Sequence, residues 1–198
     1  MGGEQLGGML GAMEAGQIGE AFTDQALTDA AGKMTGDDAK GLDGDSAAVM
    51  LEAVITVMEP GEVGNKGSAV DAGIVAGMLG SMDASQVQDA ITPEIAADLA
   101  ANMDASDVAL LDSDSAAAMM DTMGAESAVA AMDQESLASM VGVMDAEAIT
   151  QTLDAESAGA IASALTGDNL GGLGAGQAAG MAEAMAADQL SDLSSDQA

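Results

Sequence analysis

The chain has 198 residues, a length that suits one domain or one repeat array able to bury a core. It carries 34 acidic residues against 3 lysines, with no arginine, histidine or cysteine, for a formal net charge of −31. That inventory excludes an imidazole base, a thiolate, a disulfide, a soft-metal site and a phosphate clamp, and it makes nucleic acid and anionic membrane repelled partners.

Acidity of this degree often marks disorder, but 48% of the residues are hydrophobic and the mean hydropathy is +0.23. A folded chain is expected. Its apolar material is mostly Ala, Gly and Met, and Phe22 is its only aromatic residue. The start, MGGEQLGGMLGAM, has neither the basic stretch nor the long apolar region of a signal peptide. The best uncharged apolar run, Ala53–Met58, is far too short to span a membrane. A soluble chain without membrane insertion is expected.

From the N-terminus, the sequence divides into units that alternate between twelve residues and eight or nine. Long units begin at Gly2, Thr23, Asp43, Asp71, Thr92, Asp112, Asp133, Asp154, Gly174 and, truncated, Ser194. Short units begin at Glu14, Thr35, Asp83, Asp104, Gly124, Asp145, Thr166 and Ala186. In the long units DQESLASMVGVM (133–144) and DAESAGAIASAL (154–165), positions 5, 8, 9 and 12 are apolar, the stripe of an amphipathic helix. Successive long units are 21, 20, 28, 21, 20, 21, 21, 20 and 20 residues apart. The value of 28 marks an irregular insertion at about 55–70, where Pro60, Gly61, Gly64 and Gly67 break the pattern.

Of the 18 units, 16 begin with Asp, Thr, Ser or Gly, residues favoured at helix N-caps, and 12 are acidic at their third position. Gln86, Gln177 and Gln189 stand at the fourth position, where they can complete capping boxes. In all, 24 of the 34 carboxylates fall in the first four positions, where the helix dipole favours them. Thirteen of the 17 methionines occupy position 8 or 12 of a long unit, which reads as filling of a thin core between helices lined by Ala and Gly.

The expected fold is therefore all-α: a helical-repeat solenoid over 1–198, alternating 12-residue and 8–9-residue helices in about nine 20–21-residue repeats. Helices this short are marginal alone, so stability has to come from stacking each repeat on its neighbours.

The rhythm D-x-E-x-A-x-x-[IL]-x-x-[LM], carried by LDAESAGAIASAL (153–165) and MDAEAITQTL (144–153), resembles the cytoplasmic N-terminal domain of MgtE-type magnesium transporters. The resemblance implies an acidic superhelix of short capped helices. It departs from that family in lacking arginine and in having proline at unit position 2 only at Pro93. A shared fold does not carry the transport role with it.

Carboxylates are the only reactive groups in quantity, and nothing in their pattern singles out an acid/base pair, so no enzyme activity is expected. Oxygen-rich edges suit Ca²⁺ or Mg²⁺, although no cofactor is required. The local doublets Asp43/Asp45, Asp112/Asp114 and Asp37/Asp38 are the candidate metal ligands, and none of them fits an EF-hand loop. The first unit is as apolar as an internal one and the last unit read is SSDQA, so an array without polar capping repeats is the expectation.

The functional expectation is a non-enzymatic structural protein that self-assembles head to tail into a filament, fibre or surface layer, with low-affinity divalent-cation binding at its edges. The alternative is a monomeric binding scaffold or divalent-cation-sensing module, for which the insertion at Glu59–Lys66 would be a specialised surface. The expected location is extracellular or at the cell surface, with a high-salt cytoplasm as the alternative.

Overall fold

The structure is a computed structural model that describes residues 2–58, 62–65 and 67–185. The units expected at Ala186 and Ser194 lie outside the described residues, as do Glu59, Pro60, Gly61 and Lys66 of the insertion. Among the described residues the regular structure is entirely helical, in 16 helices. The first five are α1 (Gly3–Leu10), α2 (Ala15–Ala21), α3 (Asp24–Ala31), α4 (Gly36–Lys40) and α5 (Gly44–Val57). After the insertion come α6 (Ala72–Leu79), α7 (Ala84–Ala90), α8 (Pro93–Asn102), α9 (Ala105–Val108), α10 (Ser113–Met123) and α11 (Ala125–Ala131). The chain continues through α12 (Gln134–Val143), α13 (Ala146–Thr152), α14 (Ala155–Ala164), α15 (Gly167–Gly172) and α16 (Ala175–Ala184).

Every one of these helices starts where a unit starts, with the first residue of the unit as its N-cap. The capping is physical in twelve of them: an Asp or Thr side chain accepts a backbone N–H of the first turn, as Asp112 does from Ser115 at 2.8 Å and Thr92 from Ile95 at 3.3 Å. Gly124 is a special case, at once the C-cap of α10 and the N-cap of α11, with φ +76°. Space is open around its Cα, so glycine is needed there for the backbone conformation alone.

The helices are shorter than the units. Long units form helices of 8 to 11 residues, except the 14-residue α5, and short units form helices of 4 to 7. The cap and the turn consume the rest of each unit. The insertion is also shorter than expected, because α5 runs through Val57 before the helical pattern ends.

Packing follows a rule that the repeat did not announce. Most helices stack on the helix three places along (two where the insertion intervenes), so that long helices lie on short ones, whereas α3 packs chiefly on α5, the long helix of the next repeat. The main contacts run in three columns. One column is α1, α4, α6, α9, α12 and α15; the second is α2, α5, α7, α10, α13 and α16; the third is α8, α11 and α14, reached from α3 only through the insertion. In the third column the insertion occupies the place of an absent short helix. Below it, the carbonyl of Ala69 lies 2.7 Å from where a Cβ on Gly32 would stand; above it, Gly64 packs against Leu99 of α8 with no room for a Cβ. The insertion keeps the core continuous by burying Val63 and Val70 and by closing on itself through Gly64 N–H to the Val70 carbonyl at 3.2 Å.

Glycine permits the close approach of one layer to the next. A Cβ on Gly77 would run into the Gly36 carbonyl, and one on Gly80 into that of Leu110. The core lies along the inside of the three columns. In the internal long helices positions 5, 8, 9 and 12 are buried, as in Ala116, Met119, Met120 and Met123, except for half-buried Ala30 of α3. Each short helix up to α13 buries the fifth position of its unit, among them Ile18, Val87, Val108 and Ile149, and α11 buries Ala125 as well. Of the thirteen methionines on the grid, eleven are buried; Met13 is half-buried and Met9 is exposed.

Candidate functional site

The carboxylates that open each unit divide into two roles. The first position is used by the helix it caps. Asp43 accepts Ser46 N–H at 3.1 Å and the Ser46 hydroxyl at 2.6 Å, and that hydroxyl is the main cause that holds the Asp43 carboxyl below its ordinary range. The Ser85 hydroxyl does the same for Asp83, and the Ser157 N–H leads the same effect at Asp154. These groups are ionised at neutral pH, so they supply negative charge and accept hydrogen bonds but hold no proton to donate.

The candidate doublets do not come together as metal cages. In the first, Asp43 is occupied by its cap while Asp45 accepts Gln86 Nε2 from α7 at 2.7 Å. In the second, Asp112 caps Ser115 while Asp114 turns to a neighbouring cleft. In the third, Asp38 accepts both the N–H and the hydroxyl of Thr35 at 2.9 Å, beside an exposed Asp37. Among the described residues no three carboxylates converge in a geometry that could hold a metal ion.

A different grouping arises from the columns. α7, α10 and α13, stacked in the second column, enclose an open cleft of about 480 Å³. Asp114, Asp121, Asp145 and Glu147 line it, together with Gln88 and Gln151. Gln88 Nε2 donates to Asp121 at 2.9 Å, Gln151 Nε2 to Glu147 at 3.1 Å, and Asp145 N–H to the Ser113 hydroxyl at 2.9 Å. Unit analysis does not join these residues, because Gln88 and Asp121 stand 33 positions apart, about one and a half repeats. The first column has a second, less polar cleft of about 400 Å³, floored by Ala138, Gly142, Val143 and Leu173 with Glu135 and Asp168 beside them.

Chemically, the clefts offer negative charge, amide groups and small apolar surface. They attract cations and present no nucleophile activated by a base. Gln177, expected to complete a capping box, instead donates Nε2 to the Met144 carbonyl at 3.0 Å and the Gly142 carbonyl at 3.2 Å. Gln86 does complete its box, with the Asp83 N–H at 2.9 Å. Among the described residues no helix is long and apolar enough to cross a membrane.

Compared with protein-family models, with curated proteins and with solved structures, the chain matches none.

Proposed function

We propose that the chain is a helical-repeat solenoid with three helices per turn, and that it serves as a non-catalytic structural protein that assembles with copies of itself. The observation that carries this reading is a 33-residue offset that recurs between stacked helices beyond the insertion. Ser115, Ser136 and Gln177 each donate to the backbone carbonyl 33 residues earlier, those of Met82, Met103 and Met144. A stack that grows by one repeated contact has no internal reason to stop, and a repeated contact that does not close into a ring builds a filament.

Self-assembly has to overcome a charge of −31, so screening by Ca²⁺, Mg²⁺ or high salt favours it. The acidic edges would gather such ions at low affinity. A cell-surface or other extracellular setting with abundant calcium suits this role. The test is solution mass and electron microscopy of the chain with and without millimolar Ca²⁺. Growth into elongated particles supports the reading, and monomers under every condition overturn it.

The four-carboxylate cleft on α7, α10 and α13 favours a second reading, a monomeric scaffold that binds a cationic partner or senses divalent ions. The likeness to the magnesium-transporter domain points the same way. Saturable cation binding by a persistent monomer would support it over assembly.

A further inference from the structure

The two clefts occupy the same place in two columns. Each lies over a long helix between two short ones: α10 between α7 and α13, and α12 between α9 and α15. In both, position 3 of the long unit and of the later short unit is acidic, as Asp114 and Glu147 in one and Glu135 and Asp168 in the other. The α10 cleft is tied by its own side chains, Gln88 to Asp121 across two helices and Gln151 to Glu147. At the positions of Gln88, Asp121 and Gln151 the α12 cleft has Ala109, Gly142 and Gly172, which can form no such tie. Its floor is open and apolar. Ala138, Ser139, Gly142 and Val143 follow Glu135 by three, four, seven and eight residues, the stripe that one helix presents to another. On α6 the same positions are covered from within the chain. Ala76, Gly77 and Gly80 are buried there, Gly77 against the Gly36 carbonyl at the start of α4 and Gly80 against the Leu110 carbonyl just after α9. On α12, among the described residues, Gly142 is exposed, and a Cβ there would meet only the Leu173 side chain, at 4.0 Å.

We infer that the α12 cleft is a docking groove for an amphipathic helix of another protein, one that brings small apolar side chains to the floor and lysine or arginine to Glu135 and Asp168. The chain itself shows that such a stripe accepts helices, since α6 takes α4 and α9 on it. Charge complementarity fixes the kind of helix. Glu135 and Asp168 are exposed beside the floor, while the caps of their helices are Asp133 and Thr166. A net charge of −31 draws in a basic partner. It does not draw in a second copy, because among the described helices only α4 carries a basic residue, Lys40. The small floor residues let a helix approach closely, and its long basic side chains reach over them to the carboxylates at the rim. The groove lies on the flank of the first column, so it does not depend on whether copies join. It also adds a site to the scaffold reading, whose cleft is the one over α10.

The probe is a labelled synthetic peptide of Ala, Leu and Lys, about 18 residues long so that it can form a helix. It is added to the full chain in about 0.15 M NaCl, which screens diffuse attraction. Fluorescence anisotropy should show saturable binding, and a scrambled peptide of the same composition should bind at least about tenfold more weakly. Glu135→Gln with Asp168→Asn should weaken binding about three- to tenfold. Asp114→Asn with Glu147→Gln removes equal charge from the α10 cleft and should weaken it by less than about twofold. Gly142→Leu should fill the floor and abolish binding, with helix content by circular dichroism unchanged. Equal losses from the two double variants mean diffuse charge attraction, and loss from the second alone means the α10 cleft of the scaffold reading. Either result overturns the groove, as do equal binding of the scrambled peptide, no saturable binding, and full affinity in Gly142→Leu. If sedimentation shows the chain alone dimerising and Gly142→Leu prevents it, a second copy is the occupant and the inference fails.

Discussion

The hydroxyl of Ser136, at the third residue of α12, donates to the carbonyl oxygen of Met103 at 3.2 Å, 33 residues earlier and immediately before the N-cap of α9. Ser115 makes the same link to Met82 at 3.1 Å and adds the Leu79 carbonyl at 2.7 Å. Both hydroxyls are buried, and both donate to carbonyls at or just beyond a helix end, where the last acceptors lack intrahelical partners; the Leu79 carbonyl also accepts the Met82 N–H at 3.1 Å. Ser115→Ala leaves two carbonyls without that partner, so it should destabilise the fold by about 1–3 kcal/mol, and Ser136→Ala by about 1 kcal/mol. Urea unfolding followed by circular dichroism measures both. Equal and negligible losses would show that the links follow the stacking and do not support it.

Glycine provides a pair of opposite expectations. Gly77→Ala puts a methyl into the Gly36 carbonyl and forces two layers apart, which should cost about 1–3 kcal/mol. Gly19, inside α2, faces open space, so Gly19→Ala should stabilise by about 0.5–1 kcal/mol through helix propensity. Thermal melts of the two variants should move in opposite directions.

Methionine gives a second contrast. Met140→Ala empties a fully buried site in α12 and should cost about 2–5 kcal/mol. Met9→Ala removes a side chain that is 37% exposed, and in the monomer it should be close to neutral. Chemical denaturation of the two variants makes the comparison.

Acid should weaken the caps. The Asp43, Asp83 and Asp154 carboxyls lie below their ordinary range in the folded chain. Their stabilisation is therefore complete above the unfolded-state value of about 3.9 and disappears as pH falls through the lower folded values. Asp43→Ala should cost about 1 kcal/mol at neutral pH, and that cost should shrink as pH falls below the ordinary carboxylate range. Asp43→Asn, which still caps, should lose less at neutral pH. Melting temperatures of the three proteins at neutral and acid pH test the sign.

Charge should make folding depend on ions. With −31 charges and a core of small side chains, desalted protein should have less helix than protein in millimolar Ca²⁺ or molar NaCl. Circular dichroism during such a titration measures it. Full helix content already present in dilute buffer would mean that stacking alone overcomes the repulsion.

What the amino-acid sequence determined by itself is local. N-cap chemistry acts within one turn, and apolar periodicity reports one helix face, so Asp112, Asp133 and Asp154 mark helix starts and Met119 and Met140 mark the core without any tertiary knowledge. Helix lengths were less legible, because a unit does not show how many residues its turn consumes. The candidate metal doublets illustrate the limit: adjacency in sequence placed Asp43 beside Asp45, yet the cap holds one and Gln86 of another layer engages the other.

Tertiary structure alone decided which helix lies on which. Most helices contact the one three places along more than their sequence neighbour, since packing depends on helix-face directions and on how closely glycine lets backbones approach. The 33-residue offset, the acidic cleft and the insertion's substitution for a missing helix follow from that geometry. None of them is a property of a single unit, and so no single unit could reveal them.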